Sequence, residues 1–269
     1  MLAVVYLACM KLRILLLCLA LTPWVATTGE DNTDVVPPKT ASKLLADVRS
    51  RMPREPILLV GQILRRWHNG RTERLFNVDI SLRFGDDPSV AEYAIRTLQG
   101  DPVELLTVRR NRDGRTTCVY SHGTPLRPAA VPNLSDPVRE THMNWLDLTL
   151  AFLWWQDATL AGTDKVKGYL CDVVDVRSPL EQNTEPVTLR LWIEEEYRVL
   201  LKVEERDASG QLLRRLEVKR FKKIGDEWMI GETMVQRIPE RQKTLFRILD
   251  IVRPSSDPEP SSDAITTGP

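Results

Sequence analysis

Apolar and polar residues alternate most regularly between Val187 and Ile224, where three consecutive antiparallel strands are predicted. Alternation with a period of two places successive side chains on opposite faces of a strand. The triplet Glu194-Glu195-Glu196 separates the first strand from the second, and residues 207–210 have the composition of a turn before the third. Three strands with one apolar face need a second layer over that face, which the rest of the chain must supply. The apolar positions of the first two strands are Leu189, Leu191, Ile193, Val199, Leu201 and Val203.

The same alternation recurs along the chain and predicts about ten strands in all. Its clearest further example is Arg74 to Phe84, which follows a hairpin turn signal at Asn69-Gly70. Turn residues recur at the spacing of an antiparallel sheet, whereas the Pro-rich segment from Gly123 to Arg139 predicts a connection. The other predicted strands are Ile57 to Trp67, Ala91 to Leu98, Val103 to Asn111, Arg115 to Ser121, Ala158 to Val166, Gly168 to Arg177, Glu227 to Arg237 and Lys243 to Val252.

Two segments have helical spacing instead. From Ala41 to Met52, apolar residues recur at every third or fourth position, Thr40 or Ser42 can cap the start, and Pro53 ends the segment. The second segment is Asn144 to Trp155, which predicts a short helix that is dense in bulky apolar groups. The residues able to share one side of that helix are Trp145, Leu148, Phe152 and Trp155.

These elements predict a mainly β protein with one strongly curved antiparallel sheet. A sheet of this width tends to curl, so we expect an incomplete β-barrel with the helices covering its concave side. The predicted domain covers residues 41–252. The tail over residues 253–269 is rich in Pro, Ser, Asp and Thr and has almost nothing to bury, so we predict that it is disordered.

The start of the chain has the layout of an export signal. Read from Met10, Lys11 and Arg13 precede a short apolar run and then a stretch of small residues. We therefore predict a signal peptide over residues 1–28, with translation beginning at Met10, and a flexible leader over residues 29–40. A transmembrane anchor is the alternative, although the apolar run is shorter than the ~20 residues that cross a bilayer.

Charge and side-chain chemistry exclude several classes of function. The 37 Lys and Arg residues balance the 37 Asp and Glu residues, so no basic excess points to nucleic acid. Three histidines, His68, His122 and His142, lie in or beside unrelated turns without metal-ligand spacing. The sequence contains no nucleophile elbow and no phosphate-binding loop. We therefore predict a protein that is not an enzyme and needs neither a metal nor another cofactor.

The four cysteines divide into two pairs. Cys9 and Cys18 fall within the predicted signal peptide, while Cys118 and Cys171 each lie in a predicted strand. In an oxidising compartment the second pair can form a disulfide if the two strands are near neighbours. The alternative is two separate, small buried side chains.

The motifs that carry a family resemblance lie mainly in the second half of the chain. They are the blocks Asp147 to Trp155, Val166 to Val174, Leu189 to Ile193, Leu200 to Gly210 and Val218 to Ile224. Together they resemble the LolA-like outer-membrane lipoprotein-sorting proteins of Gram-negative bacteria, and the likeness extends over roughly residues 41–252. The resemblance implies a periplasmic protein, expected to be a monomer, in which a helical lid covers an apolar half-barrel cavity for lipoprotein acyl chains.

The same resemblance implies partners. The expected cargo is a lipoprotein or a related lipid, loaded by an inner-membrane exporter and received by an outer-membrane acceptor. An alternative on the same scaffold is an envelope protein that senses lipid or lipoprotein without transporting it. The sequence does not indicate which arginine corresponds to the one that locks the lid in known carriers, so it does not predict how the lid is gated.

The predicted cavity lining comes from the apolar strand faces and the tryptophan-bearing segment. An acyl chain of sixteen carbons gains on the order of 12 kcal/mol on leaving water, at ~0.8 kcal/mol per methylene, so its carrier must offer comparable apolar surface. The plainer interpretation is that the same residues form ordinary core. A further interpretation of Trp154 and Trp155 is that they anchor an interface with a membrane or a partner. The residues predicted to line the cavity are Phe76, Ile80, Leu82, Trp145, Leu148, Phe152, Trp155, Leu189, Leu191, Ile193, Val199 and Leu201.

Overall fold

The computed structural model describes residues 39–179, 187–224 and 227–253. The predicted signal peptide, nearly all of the predicted leader and the tail from residue 254 lie outside these ranges. Within them, no helix is long and apolar enough to cross a membrane.

The described residues form two α-helices, one 3₁₀ helix and 13 strands. The helices are α1 (Ala41–Ser50), α2 (Trp145–Thr149) and the 3₁₀ helix η1 (Ala151–Trp154). The strands are β1 (Ile57–Arg66), β2 (Thr72–Arg83), β3 (Ser89–Arg96), β4 (Pro102–Arg110), β5 (Thr116–His122), β6 (Arg127–Ala129), β7 (Asp157–Val166), β8 (Tyr169–Arg177), β9 (Thr188–Glu194), β10 (Leu200–Arg206), β11 (Leu212–Ile224), β12 (Glu227–Arg237) and β13 (Lys243–Val252).

All described strands belong to one open antiparallel sheet. The order across the sheet is β6-β5-β4-β3-β2-β1-β13-β12-β11-β10-β9-β8-β7. Because β1 pairs with both β2 and β13, Leu59 lies opposite Ile80 on one side and Ile251 on the other. The edges are β6 and β7, and the sheet does not close into a barrel. This confirms a mainly β fold built on an open antiparallel sheet.

Twelve of the 13 described strands overlap segments in which the sequence predicts a strand. The strand that sequence patterning missed is β6, which lies within the Pro-rich segment predicted as a connection. Its three residues, Arg127, Pro128 and Ala129, are exposed and too few for alternation to be visible. Proline is tolerated there because β6 is an edge strand.

One face of the sheet, which we call the inner face, packs with the helices in a single apolar cluster. Leu106 on β4 and Leu191 on β9 belong to this cluster, although their strands are far apart in the sheet. From the helices, Leu44 and Leu45 of α1 and Trp145 of α2 join it. The helices and the inner face therefore share one apolar core.

A smaller cluster lies on the opposite face of the sheet. We call it the outer-face cluster, and its buried members are Val166, Cys171, Val173, Trp192 and Leu201. Trp192 is placed by alternation on the polar side of its strand, yet it is only 4% exposed. Lys202 lies over its ring, with 3.4 Å between the ammonium nitrogen and the ring centroid. The outer face thus carries its own small core.

A bulge in β10 changes the predicted pattern. Leu200 lies opposite Ile193 and Lys202 lies opposite Trp192, so Leu201 is an extra residue between the two pairs. Leu200 and Val203 consequently join the inner-face cluster, whereas Leu201 joins the outer-face cluster. The prediction that Leu201 and Val203 share a face is therefore wrong, because strict alternation does not survive a bulge.

The first predicted helix is present with a slightly earlier end. Thr40 is its N-cap, and its Oγ1 accepts a hydrogen bond of 3.2 Å from the backbone N–H of Lys43. The helix ends at Ser50 instead of Met52, two residues further from Pro53. Proline disfavours helical backbone in the residue before it, so an early end is expected.

The second predicted helix is broken. Asn144 caps α2, which ends after Thr149, because Leu150 adopts left-handed backbone with φ 50°. The chain then continues as η1. Trp145 and Phe152 are both buried, but they belong to different helical turns, and the prediction of one continuous helix is wrong.

The two cysteines of the domain are not bonded to each other. Cys118 on β5 packs against the inner-face cluster, while Cys171 on β8 is buried in the outer-face cluster. Because they lie on opposite faces of the sheet, the two sulfur atoms do not meet. The structure agrees with the alternative of two separate side chains.

Candidate functional site

An apolar cavity of about 220 Å³ lies between the inner face and the segments α1, α2–η1 and the β9–β10 turn. Eleven of its 23 lining residues come from the strands β1 to β3 and β10 to β13, and the others come from the helices and connecting segments. The surrounding residues are Val48, Arg51, Met52, Pro53, Leu59, Ile80, Leu82, Phe84, Tyr93, Asp147, Leu148, Thr149, Leu150, Leu153, Arg198, Val199, Leu200, Phe221, Met229, Ile230, Thr233, Phe246 and Ile248.

Strand register explains why the floor of the cavity is apolar. Ile80 on β2 lies opposite Leu59 on β1 and opposite Tyr93 on β3. Residues directly opposite each other on adjacent strands project to the same face. The three side chains therefore form a continuous row across the inner face, and each is at least nine-tenths buried.

The cavity opens to solvent on one side. Phe221 on β11 is 39% exposed, and Ile230 lies opposite it on β12. Arg51, directly after α1, is also exposed, whereas Leu82 and Leu153 of the same wall are buried. The site is thus an apolar hollow with a mouth.

A buried ion pair attaches α2 to the sheet. Asn144 Oδ1 accepts from the Asp147 N–H, and Asp147 Oδ2 accepts from the Asn144 N–H, each at 3.0 Å. The same Oδ2 accepts a 2.5 Å hydrogen bond from Arg214 Nη1 on β11. Arg214 Nε donates to Glu205 on β10 at 3.0 Å. Asp147 therefore caps its own helix and fixes that helix against the sheet.

The charges of this pair depend on each other. Burial raises the pKa of Asp147, and the positive charge of Arg214 opposes that rise. For Arg214, burial acts to lower the pKa, but Asp147 and Glu205 outweigh it and leave the pKa raised. Loss of either partner would leave the other as an uncompensated buried group.

A further contact joins the two helical segments. Arg49 on α1 donates from Nη1 to the carbonyl oxygen of Leu153 in η1. Val48 and Leu153, the neighbours of this contact, both line the cavity. The segments that cover the cavity are therefore bonded to each other as well as to the sheet.

Four of the residues predicted to line a cavity lie in the wall of this one. They are Ile80, Leu82, Leu148 and Val199. Four others are buried in the inner-face cluster and do not line the cavity. Their positions agree with the plainer interpretation, in which they form ordinary core. These four are Phe152, Leu189, Leu191 and Ile193.

The remaining four predicted residues lie elsewhere. Phe76 and Trp145 border a separate cavity of about 420 Å³, which also contains charged side chains such as Glu104 and Arg139. Trp155 borders a third cavity of about 440 Å³ with several polar groups. Leu201 faces the outer-face cluster because of the bulge. Although these two cavities are larger, their mixed linings suit an acyl chain less well than the apolar one.

Sequence reasoning missed part of the wall. Val48 and Met52 were recognised as an apolar helical stripe without being assigned to the cavity. Phe246 and Ile248 on β13 belong to the wall because β13 pairs with β1 at the centre of the sheet. Alternation shows that such residues face inwards, but not which of them border empty space.

The open antiparallel sheet, with the helices packed on its inner face and an apolar cavity between them, is a LolA-like fold. A family model described as an uncharacterized protein matches residues 124–258, half of the chain, and the chain belongs to that family. No curated protein matches the sequence.

Three solved structures share the fold. A DUF1329 family protein from Desulfovibrio piger is 13% identical, with a TM-score of 0.65 over 81% of this chain and 93% of that chain. A Vibrio parahaemolyticus domain, named for a proposed role in outer-membrane lipoprotein sorting, has the same identity and TM-score over 81% and 94%. A LolA superfamily protein from Nitrosomonas europaea is 13% identical, with a TM-score of 0.58 over 80% and 93%.

Proposed function

We propose that this protein is a periplasmic carrier that holds an acyl chain of a lipoprotein, or of a related lipid, for sorting to the outer membrane. The observation that carries the proposal is the apolar cavity between the inner face and the helical segments, open at Phe221 and Ile230. The predicted export signal and the shared fold with a domain named for lipoprotein sorting support the location and the cargo class.

The size of the cavity indicates how it would work. An apolar cavity of roughly 150 Å³ holds a benzene ring, so about 220 Å³ accommodates only part of a long acyl chain. A complete chain requires α1 and α2–η1 to move away from the inner face. These segments would act as a lid, with Arg49 and Asp147 linking them to each other and to the sheet.

The first test is to identify what the protein carries. Protein purified from the periplasm under native conditions would be extracted and its ligands analysed by mass spectrometry. We expect acylated molecules from the wild-type chain. An extract without any amphiphile, together with no binding of lipids added in vitro, would contradict the proposal.

A pair of variants links the bound lipid to the cavity. Phe221→Glu introduces a charge at the mouth, whereas Leu213→Glu changes a residue on the same strand with nearly the same exposure, 40% against 39%, away from the wall. Phe221→Glu should lose the extracted lipid while Leu213→Glu retains it, with both folded by circular dichroism. Equal lipid content in the two variants would place the lipid elsewhere.

Transfer distinguishes a carrier from a sensor on the same scaffold. A loaded carrier should release lipid to acceptor vesicles over time, and a sensor should keep it. The assay follows a fluorescent acyl chain from the protein to vesicles, with lipid-free protein as the blank.

A further inference from the structure

Two arginines meet beside the cavity without a carboxylate. Arg110, the last residue of β4, is only 7% exposed. Within the described part of the chain its guanidinium forms no ion pair or hydrogen bond, and its Nε is buried without a partner. Its Cζ atom lies over the ring of Trp154, 3.7 Å from the centroid. Arg49 on α1 donates a hydrogen bond to the carbonyl oxygen of Leu153.

This arrangement is unusual for buried cations. A buried guanidinium ordinarily pairs with a carboxylate, because an uncompensated charge is costly to remove from water. Burial lowers the pKa of Arg110, and the nearby charge of Arg49 lowers it further. Arginine nevertheless stays protonated in proteins. Among the described residues, no Asp or Glu acts on either guanidinium, so the two positive charges lie near each other without a carboxylate.

The titratable side chains that act on Arg110 include no Asp or Glu. The groups that act on it electrostatically are Tyr93, Cys118 and Arg49. Burial raises the pKa of Tyr93, so its hydroxyl is neutral at physiological pH. The Tyr93 hydroxyl can donate a hydrogen bond, but it carries no negative charge.

The pair lies next to the cavity wall. Val48 and Leu153, which line the cavity, are the immediate neighbours of Arg49 and Trp154 in sequence. Phe84, also in the wall, packs near the Trp154 ring in a tilted arrangement, with ring centroids 6.4 Å apart. A ligand that fills the cavity would therefore lie beside the segment that carries both guanidinium groups.

We propose that Arg49 and Arg110 bind the anionic group of the ligand, so that the protein selects amphiphiles with a carboxylate or a phosphate over neutral ones. The inference rests on the proposed lipid-binding function and adds the class of ligand. Guanidinium groups match both oxyanions geometrically and form charge-assisted hydrogen bonds with them. Binding would supply the negative charge that this site lacks.

The test compares three probes with the same hydrocarbon chain: laurate, lauryl phosphate and lauryl alcohol. Binding to delipidated protein is followed by isothermal titration and by tryptophan fluorescence, below the micellar concentration. Wild-type protein should bind at least one anion roughly tenfold more tightly than the alcohol. The ratio between laurate and lauryl phosphate shows whether the site suits a carboxylate or a phosphate.

Three variants assign the discrimination to residues. Arg110→Met retains a long apolar stem over Trp154 but removes the charge, and should abolish the preference for anions. Arg49→Met should reduce it. Arg109→Met is the matched control, because Arg109 adjoins Arg110 on β4 but is exposed, and it should behave as wild type. A cooperative thermal unfolding transition establishes that each variant is folded. If Arg110→Met does not fold, the test rests on Arg49→Met.

The outcomes separate this proposal from the carrier function. If all three probes bind equally, or if Arg110→Met and Arg49→Met keep the preference, the anion site is refuted and the lipid cavity stands. If none of the probes binds, both proposals fail. Preference lost in Arg110→Met and kept in Arg109→Met supports the site.

Discussion

Arg214 is a buried charge that the fold accommodates by surrounding it with carboxylates. It bonds Asp147 on α2 and Glu205 on β10, and its side chain is only 7% exposed. The neighbouring Arg215, on the other face of β11, bonds Glu204 and remains 37% exposed. The two adjacent arginines show how a single step along a strand separates a structural charge from a largely solvated one.

Arg214→Met should lower the free energy of unfolding by about 3–5 kcal/mol, because Asp147 would remain buried without its partner. Arg220→Met, the same change at an exposed position of β11, should cost less than about 0.5 kcal/mol. Urea denaturation followed by circular dichroism measures both. Equal losses in the two variants would show that the ion pair does not hold α2 in place.

At the scale of an element, the bulge in β10 decides which leucine reaches the cavity. Leu200 lies on the inner face and lines the cavity, and Leu201 lies on the outer face against Trp192. Both are almost fully buried, at 3% and 6% exposure, so their packing losses on truncation should be similar. Only their positions relative to the cavity differ.

Leu200→Ala and Leu201→Ala should each lower the free energy of unfolding by about 2–5 kcal/mol. Lipid affinity should respond differently, falling roughly fourfold or more in Leu200→Ala, the equivalent of one buried methylene contact, and staying unchanged in Leu201→Ala. Denaturant titration gives the stabilities, and laurate binding to the folded variants gives the affinities. A loss of affinity in Leu201→Ala alone would reverse the assignment of faces.

At the scale of the whole molecule, the cavity is small for the proposed acyl-chain cargo. Pockets for small molecules usually measure about 300–1,000 Å³, whereas this one measures about 220 Å³. The sheet is held by continuous strand pairing from β6 to β7, while the helical segments are held by side-chain contacts such as Arg49 to Leu153. The helices are therefore the part that can move when a chain enters.

Lipid binding should increase the distance between α1 and the sheet. Nitroxide labels on Lys43→Cys and Arg220→Cys, both exposed positions, would report it by pulsed electron resonance in a chain with Cys118→Ala and Cys171→Ala. The mean distance should grow when laurate is added. A label pair within the sheet, on Val119→Cys and Arg220→Cys, should not change, and a constant α1 distance in the saturated protein would exclude a moving lid.

Local patterns were sufficient for much of the fold. Thr40 caps α1, the alternating residues of β2 and β9 face the core, and the hairpin turns lie where Gly, Asn and Asp predicted them. These features depend on neighbours in sequence, because hydrogen bonding and side-chain direction repeat along a helix or a strand. The motifs that resemble LolA-like proteins likewise indicated the open sheet correctly.

Other features depend on residues that are distant in sequence. The bulge at Leu201 arises from pairing with β9, and the break at Leu150 lets α2 and η1 pack separately against the inner face. The meeting of Arg49 with Arg110, and of Asp147 with Arg214, brings together residues whose separation no local period encodes. Alternation along a strand shows which side chains face the core and which face solvent. It does not show where core-facing side chains leave a cavity, because the cavity forms only when the helices pack against the sheet.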